Sequence, residues 1–113
     1  LEADEAFEIA SRADLNDPRP TYNRGLLYHQ LGHFPEARQY YAETLGRDAS
    51  YAPALLGHIQ CEVSERVVSD ETVQRIDAAL KLVNDEEDLQ KLRIQRLNIT
   101  HLLNGPAATS EIR

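Results

Sequence analysis

The stretch Asn23–Tyr41, NRGLLYHQLGHFPEARQYY, decides the fold. It places two glycines seven residues apart in a segment that otherwise favours helix. A glycine inside a helix lowers the stability of the helix by about 1 kcal/mol relative to alanine. Each glycine is therefore expected to have a structural role that offsets this loss. We interpret Gly25 as a point where one helix closely approaches another. We interpret Gly32 as the turn between two helices, where glycine accepts a left-handed backbone without strain.

The chain repeats itself with a period of 34 residues. The matching residues are Glu2 and Ala3 with Glu36 and Ala37, Phe7 with Tyr41, and Asp14 with Asp48. A weaker copy follows 35 residues later, with Thr72, Ile76, Ala79 and Leu80 in the places of Ala37, Tyr41, Thr44 and Leu45. A period of this length is typical of stacked helical hairpins, so the sequence predicts an all-α fold.

Proline, glycine and capping residues divide the chain into predicted helices. The predicted helices run from about 18 to 31, 35 to 46, 52 to 65, 70 to 83 and 86 to 103, after an opening helix within 1–14. Residues 1–104 then form one helical repeat domain. Its parts are a partial repeat over 1–14, the best repeat over 18–49, a divergent repeat over 51–83 and a final helix over 86–103. The sequence Asn104-Gly105-Pro106 is expected to end that helix, which leaves a frayed tail over 105–113.

The best repeat resembles the tetratricopeptide repeat. The residues that carry the resemblance are Gly25, Tyr28, Gly32, Phe34, Ala37, Tyr41 and Leu45. Three positions depart from the family pattern, because Thr21 replaces its first aromatic residue, Arg24 a leucine and Ala49 a proline. The resemblance implies an antiparallel helix-hairpin solenoid wound as a right-handed superhelix.

The resemblance also implies a function, which is non-catalytic binding of a peptide or protein segment in a concave groove. In the family the first helix of each repeat lines that groove. The residues nominated in this way are Arg19, Tyr22, Asn23, Leu26, His29, Gln30, Leu56 and Gln60, with Lys91, Gln95 and Asn98 from the final helix. An alternative is that Tyr22 and Leu26 are packing residues. Asn23 matches one residue of the clamp that holds chaperone C-termini, but Gly57 and Leu92 stand where the clamp needs asparagine and arginine.

Composition limits the partners. The formal charge of −7 repels phosphate backbones and anionic lipid surfaces, so nucleic acid is not an expected partner. No apolar run is long enough for a membrane span. The single cysteine excludes an intrachain disulfide and leaves the cellular compartment open.

Catalytic and metal chemistry find little support in the sequence. His29 and His33 are four residues apart, but the turn expected at Gly32 removes the shared helical face that a metal site would need. Cys61 is interpreted as a small buried residue, and His58 and His101 as isolated. We expect no enzyme activity, metal or cofactor in these residues. The acidic run 85–88 is interpreted as stabilising a helix N-terminus, with a docking patch for a basic partner as the alternative.

The chain begins with leucine, and we interpret it as a piece of a longer protein. That protein could be a pure adaptor, or an enzyme such as a glycosyl- or sulfotransferase with an accessory repeat region. The final helix is apolar around most of its circumference, which is typical of a helix with more than one neighbour. We therefore expect self-association through this helix, with folding back along the last hairpin as the alternative.

Overall fold

The computed structural model describes the backbone of residues 2–111 and the side chains of residues 2–104, and this part of the chain is all-α. It contains six helices: α1 Glu2–Ala13, α2 Arg19–Gln30, α3 Phe34–Arg47, α4 Ala52–Glu65, α5 Asp70–Leu82 and α6 Glu86–Glu111. Each helix packs against the next, and α4 also contacts α2 and α6. The Cα radius of gyration is 15.3 Å, compared with about 13 Å for a compact domain of 100 residues. The helices therefore form an elongated row.

Local sequence signals explain where the helices begin and end. Proline occupies the first turn of α2, α3 and α4, where its missing N–H removes no helical hydrogen bond. Gly32 has a φ of +78°, which confirms the left-handed turn predicted between α2 and α3. The Ser69 backbone N–H donates to Thr72 Oγ1 at the start of α5. At the start of α6, the Asp88 N–H donates to Asp85 Oδ2 over 3.0 Å, so Asp85 caps this helix as the acidic run suggested.

Helix α6 extends beyond its predicted end. The sequence Asn104-Gly105-Pro106 was expected to stop it, but the helical backbone continues to Glu111. Proline removes one backbone donor and crowds the preceding turn, which weakens a helix without always ending it. The expected frayed tail over 105–113 is therefore helical as far as residue 111, and residues 112–113 lie outside the described part of the chain.

Tyr41 is the centre of the packing between α2, α3 and α4. Its side chain is 1% exposed, and a Cβ atom added at Gly25 would lie 2.7 Å from the Tyr41 ring. A Cβ added at Gly57, on the other side, would lie 2.6 Å from the same ring. Ala37, one turn before Tyr41, is fully buried. The close approach predicted at Gly25 is confirmed, and Gly57 makes a second one that the sequence analysis did not identify.

Two of the three departures from the repeat pattern have local partners. The Thr44 hydroxyl donates to Thr21 Oγ1 over 2.9 Å, so two buried polar groups satisfy each other. Arg24 pairs with Asp4 of α1, and its guanidinium lies 4.4 Å from the centre of the Tyr40 ring. Arg24 therefore joins α1 to α2 with a charge where the pattern has an apolar contact.

Candidate binding groove

A surface pocket of about 250 Å³ lies where α2, α4 and the first turns of α6 meet. The residues that line it are Tyr22, Leu26, His29, Tyr41, Pro53, Leu56, Gly57, Gln60, Asp88 and Lys91. We call this pocket the groove. It brings together five of the eight nominated residues, together with Lys91 from the second set.

Aromatic rings hold the floor of the groove in place. The Tyr22 ring centre lies 5.8 Å from that of Tyr41 and 5.4 Å from that of Tyr51. The Tyr41 hydroxyl lies 2.9 Å from His29 Nδ1. Burial raises the pKa of Tyr41, so the phenol stays protonated and can donate this hydrogen bond. When it does, Nε2 carries the proton of the neutral His29 ring and is a hydrogen-bond donor.

The rim adds polar and charged groups to this apolar floor. Gln60 is exposed on α4 and supplies an amide that can donate and accept hydrogen bonds. Asp88 and Lys91 lie on the first two turns of α6, and Lys91 Nζ lies 3.4 Å from Glu87 Oε1. Sequence reasoning missed Asp88 as a groove residue, since it was assigned to the helix N-terminus. The stacking of α6 beside α4 brings it to the groove.

Three nominated residues lie outside the lining of the groove. Arg19 pairs with Asp17 through Nη2 and Oδ2 at 2.9 Å, and its side chain is 75% exposed. Gln30 is exposed at the end of α2, and Asn23 is half-buried one residue after Tyr22. Gln95 and Asn98, nominated from the final helix, are also absent from the lining.

A second polar cluster joins α4 to α5, and it corrects the view of His58 as isolated. Glu62 is 3% exposed and accepts from Thr72 Oγ1 at 2.8 Å. Arg75 donates from Nη1 and Nη2 to the two carboxylate oxygens, each over 3.0 Å. His58 Nδ1 lies 2.7 Å from Glu62 Oε1, so the ring donates there if that nitrogen carries the proton. We call these four residues the Glu62 cluster.

The charge of Glu62 is stabilised inside the protein. Burial alone would raise its pKa, but the hydrogen bonds from His58, Arg75 and Thr72 outweigh burial and lower the pKa to about 2. Glu62 therefore remains ionised at neutral pH. The carboxylate lies on α4 and accepts hydrogen bonds from Thr72 and Arg75 of α5, which makes it the connecting group between the two helices. Its bonding is complete, so we assign this cluster to stability.

The remaining candidate residues have simple environments. Cys61 is fully buried, as expected, and burial raises the pKa of its thiol to about 11, which makes the thiolate scarce at neutral pH. His33 Nδ1 lies 3.5 Å from Glu36 Oε2 in an exposed pair. His101 is exposed on α6.

Comparisons with protein-family models and with curated proteins found no match for this chain. Of the helices within residues 2–111, none has both the length and the apolar character required to cross a lipid bilayer.

Proposed function

We propose that this chain is a non-catalytic interaction module, a tetratricopeptide-like array of helical hairpins that binds a peptide segment of another protein in the groove. The observation that carries the proposal is the convergence of residues from three alternate helices on one open pocket. Five of these residues are ones that the resemblance to the tetratricopeptide repeat assigns to a groove.

The chemistry of the groove suits a peptide. Tyr22, Leu26 and Leu56 offer partly exposed apolar surface to a side chain of the ligand. Gln60 and His29 offer hydrogen-bonding groups to a peptide backbone. The Tyr22 ring packs on Tyr41 and Tyr51, so the groove is held in shape before a ligand arrives. A preformed site loses less conformational entropy on binding.

The packing role of Tyr22 and Leu26 is compatible with binding. Both residues are half-buried, so each has one part in contact with the protein and another part open to the groove. Leu56 and Gln60 extend the same surface along α4. A peptide in extended or helical form would contact α2 and α4 together.

Selection from a random peptide library against the purified chain tests the proposal. We expect selected peptides to shift the amide NMR signals of Leu26, Leu56 and Gln60. Gln60→Lys should weaken binding of a selected peptide by about tenfold, which corresponds to about 1.4 kcal/mol, because it places a bulky charge in the groove. Titration calorimetry measures this change.

Gln39→Lys is the matched control. Gln39 is an exposed glutamine on α3 and is not among the groove residues, so the same substitution should leave affinity unchanged. Equal losses from both variants would indicate a general charge effect and reject the groove. Shifts that cluster away from α2 and α4 would reject it as well.

A further inference from the structure

The four carboxylates of the acidic run at the start of α6 differ in their bonding. The Asp85 carboxylate accepts the Asp88 N–H and caps the helix. The next two carboxylates lie within ion-pair distance of basic residues of the same helix, and these pairs are Glu86–Arg93 at 3.2 Å and Glu87–Lys91 at 3.4 Å. The Asp88 carboxylate has no hydrogen bond or ion pair within residues 2–104. Capping and pairing within the helix therefore account for the first three carboxylates but not for the fourth.

Asp88 also differs from the rest of the run in its position. It is half-buried, whereas the three acidic residues before it are exposed. It lines the groove together with Leu56 and Gln60 of α4. A carboxylate that is partly removed from water is stabilised by a cation or a hydrogen-bond donor, and the described residues give Asp88 neither. The group is therefore available to a ligand.

The uncompensated charge of the groove is negative. Among the described residues of its lining, Lys91 is the one basic residue, and its ammonium group is paired with Glu87. The His29 ring is neutral when its Nδ1 accepts the proton of the Tyr41 hydroxyl. The formal charge of −7 on the whole chain adds a long-range attraction for cations. Charge complementarity therefore favours a ligand that carries a positive charge.

The surroundings of Asp88 favour a cationic side chain over a metal ion. Calcium takes about six to eight oxygen ligands, whereas Asp88 is the one carboxylate among the described residues of the lining. Lysine and arginine have an apolar stem and a charged end. The stem can lie on the partly exposed Leu56 while the charged end reaches Asp88. The face of the nearby Tyr22 ring attracts cations as well.

The helices that follow α2 and α4 in the sequence leave this surface accessible. In the described part of the chain, α5 contributes no residue to the lining of the groove. Helix α3 contributes the Tyr41 ring, which is 1% exposed and forms the floor. Both helices therefore pack on the side of the row opposite the mouth of the groove.

We propose that the peptide bound in the groove carries a lysine or arginine that pairs with Asp88, close to an apolar residue that lies against Leu26 and Leu56. This inference rests on the proposed function and adds the charge of the partner segment. Asp88 then distinguishes basic segments from acidic ones. A ligand carboxylate at the same place would meet a like charge, which disfavours acidic segments.

Titration calorimetry with peptides selected from the random library tests the proposal. We expect the selected sequences to share a lysine or arginine. Asp88→Asn should weaken binding of such a peptide by about fivefold, because an ion pair at a partly exposed site is weak. Replacing the basic residue of the peptide with glutamine should cause the same loss. The two changes together should cause little further loss, because both remove the same ion pair.

Glu43→Gln is the matched control. Glu43 is exposed on α3 and lies outside the lining of the groove, so its substitution removes one negative charge without touching the ligand. This variant should bind like wild type. Circular dichroism checks that each variant keeps its helicity. Asp88→Ser replaces Asp88→Asn if that variant loses helicity.

The outcomes separate this inference from the proposed function. Selected peptides that shift the groove signals but lack a basic residue would overturn the inference alone. So would an Asp88→Asn variant that binds like wild type, or equal losses from Asp88→Asn and Glu43→Gln. If no selected peptide shifts the amide signals of Leu26, Leu56 and Gln60, the proposed function and this inference are both wrong.

Discussion

The two halves of the molecule join their helices by different physical means. Between α2, α3 and α4, two glycines make room for the Tyr41 ring, and the contact depends on shape. Between α4 and α5, the Glu62 carboxylate of α4 accepts hydrogen bonds from Thr72 and Arg75 of α5, and the contact depends on charge. The difference teaches that neighbouring helices can be joined either by close packing or by a buried ion whose hydrogen bonds are satisfied.

The comparison also explains which half supports the groove. Tyr41 lies beneath it and fixes the spacing of α2 and α4, whose residues form most of its lining. The Glu62 cluster includes none of the groove residues. Changes in the packed half should therefore alter both stability and binding, whereas changes in the Glu62 cluster should alter mainly stability.

Replacing Tyr41 should have the largest effect. Tyr41→Ala removes a fully buried ring that contacts two helices and should lower the free energy of unfolding by about 3–5 kcal/mol. Urea denaturation followed by circular dichroism measures the loss. Tyr41→Phe keeps the ring and loses the hydroxyl near His29, so its cost should be about 1 kcal/mol. Equal costs for the two variants would contradict a contact based on shape.

Glu62→Gln should have the next largest effect. The substitution keeps the volume but removes the charge and one acceptor oxygen, while Arg75, His58 and Thr72 remain. Hydrogen bonds to charged groups contribute about 1.5–3 kcal/mol, so a loss of about that size is expected in urea denaturation. Glu65→Gln is the control, because the Glu65 pair with Arg38 is partly exposed. If Glu62→Gln lowers the free energy of unfolding no more than Glu65→Gln does, the stabilising role assigned to the Glu62 cluster is wrong.

The same cluster predicts a dependence of stability on pH. The pKa of Glu62 falls from an ordinary 4.5 to about 2 on folding, so its stabilising effect is complete above pH 4.5 and disappears as pH falls to about 2. Wild type should lose more stability than Glu62→Gln over this interval in urea melts. If the stabilities of the two proteins fall in parallel as the pH falls, folding does not change the pKa of the Glu62 carboxyl group.

Most helices could be predicted from the sequence, because their signals are local. Proline at a first turn and Gly32 at a left-handed turn act through the backbone within a few residues. Ala37 and Tyr41 are among the residues that carry the resemblance to the repeat, and both are buried. The end of α6 was predicted wrongly, because Gly105-Pro106 weakens a helix that nevertheless continues.

Contacts that depend on the packing of distant helices were harder to predict. No turn lies near Gly57 in the sequence to explain the glycine. Its role is to leave room for the Tyr41 ring of α3, which packs against it. The Glu62 cluster combines residues from two helices at spacings that match no motif. Asp88 reaches the groove because α6 stacks beside α4. In α4 the sequence did carry a signal at each contact: a glycine at position 57 and a charged residue at position 62, both on buried parts of the helix.

The most direct test of the account is the effect of alanine at three helical glycines on the free energy of unfolding. Helix propensity alone predicts that alanine stabilises each site by up to about 1 kcal/mol. A Cβ at Gly25 or Gly57 would collide with the Tyr41 ring, whereas a Cβ at Gly46 would meet no atom of its surroundings within 4 Å. We predict that Gly25→Ala and Gly57→Ala each lower stability by about 1–3 kcal/mol and that Gly46→Ala raises it slightly. Stabilisation by alanine at all three sites would contradict the account.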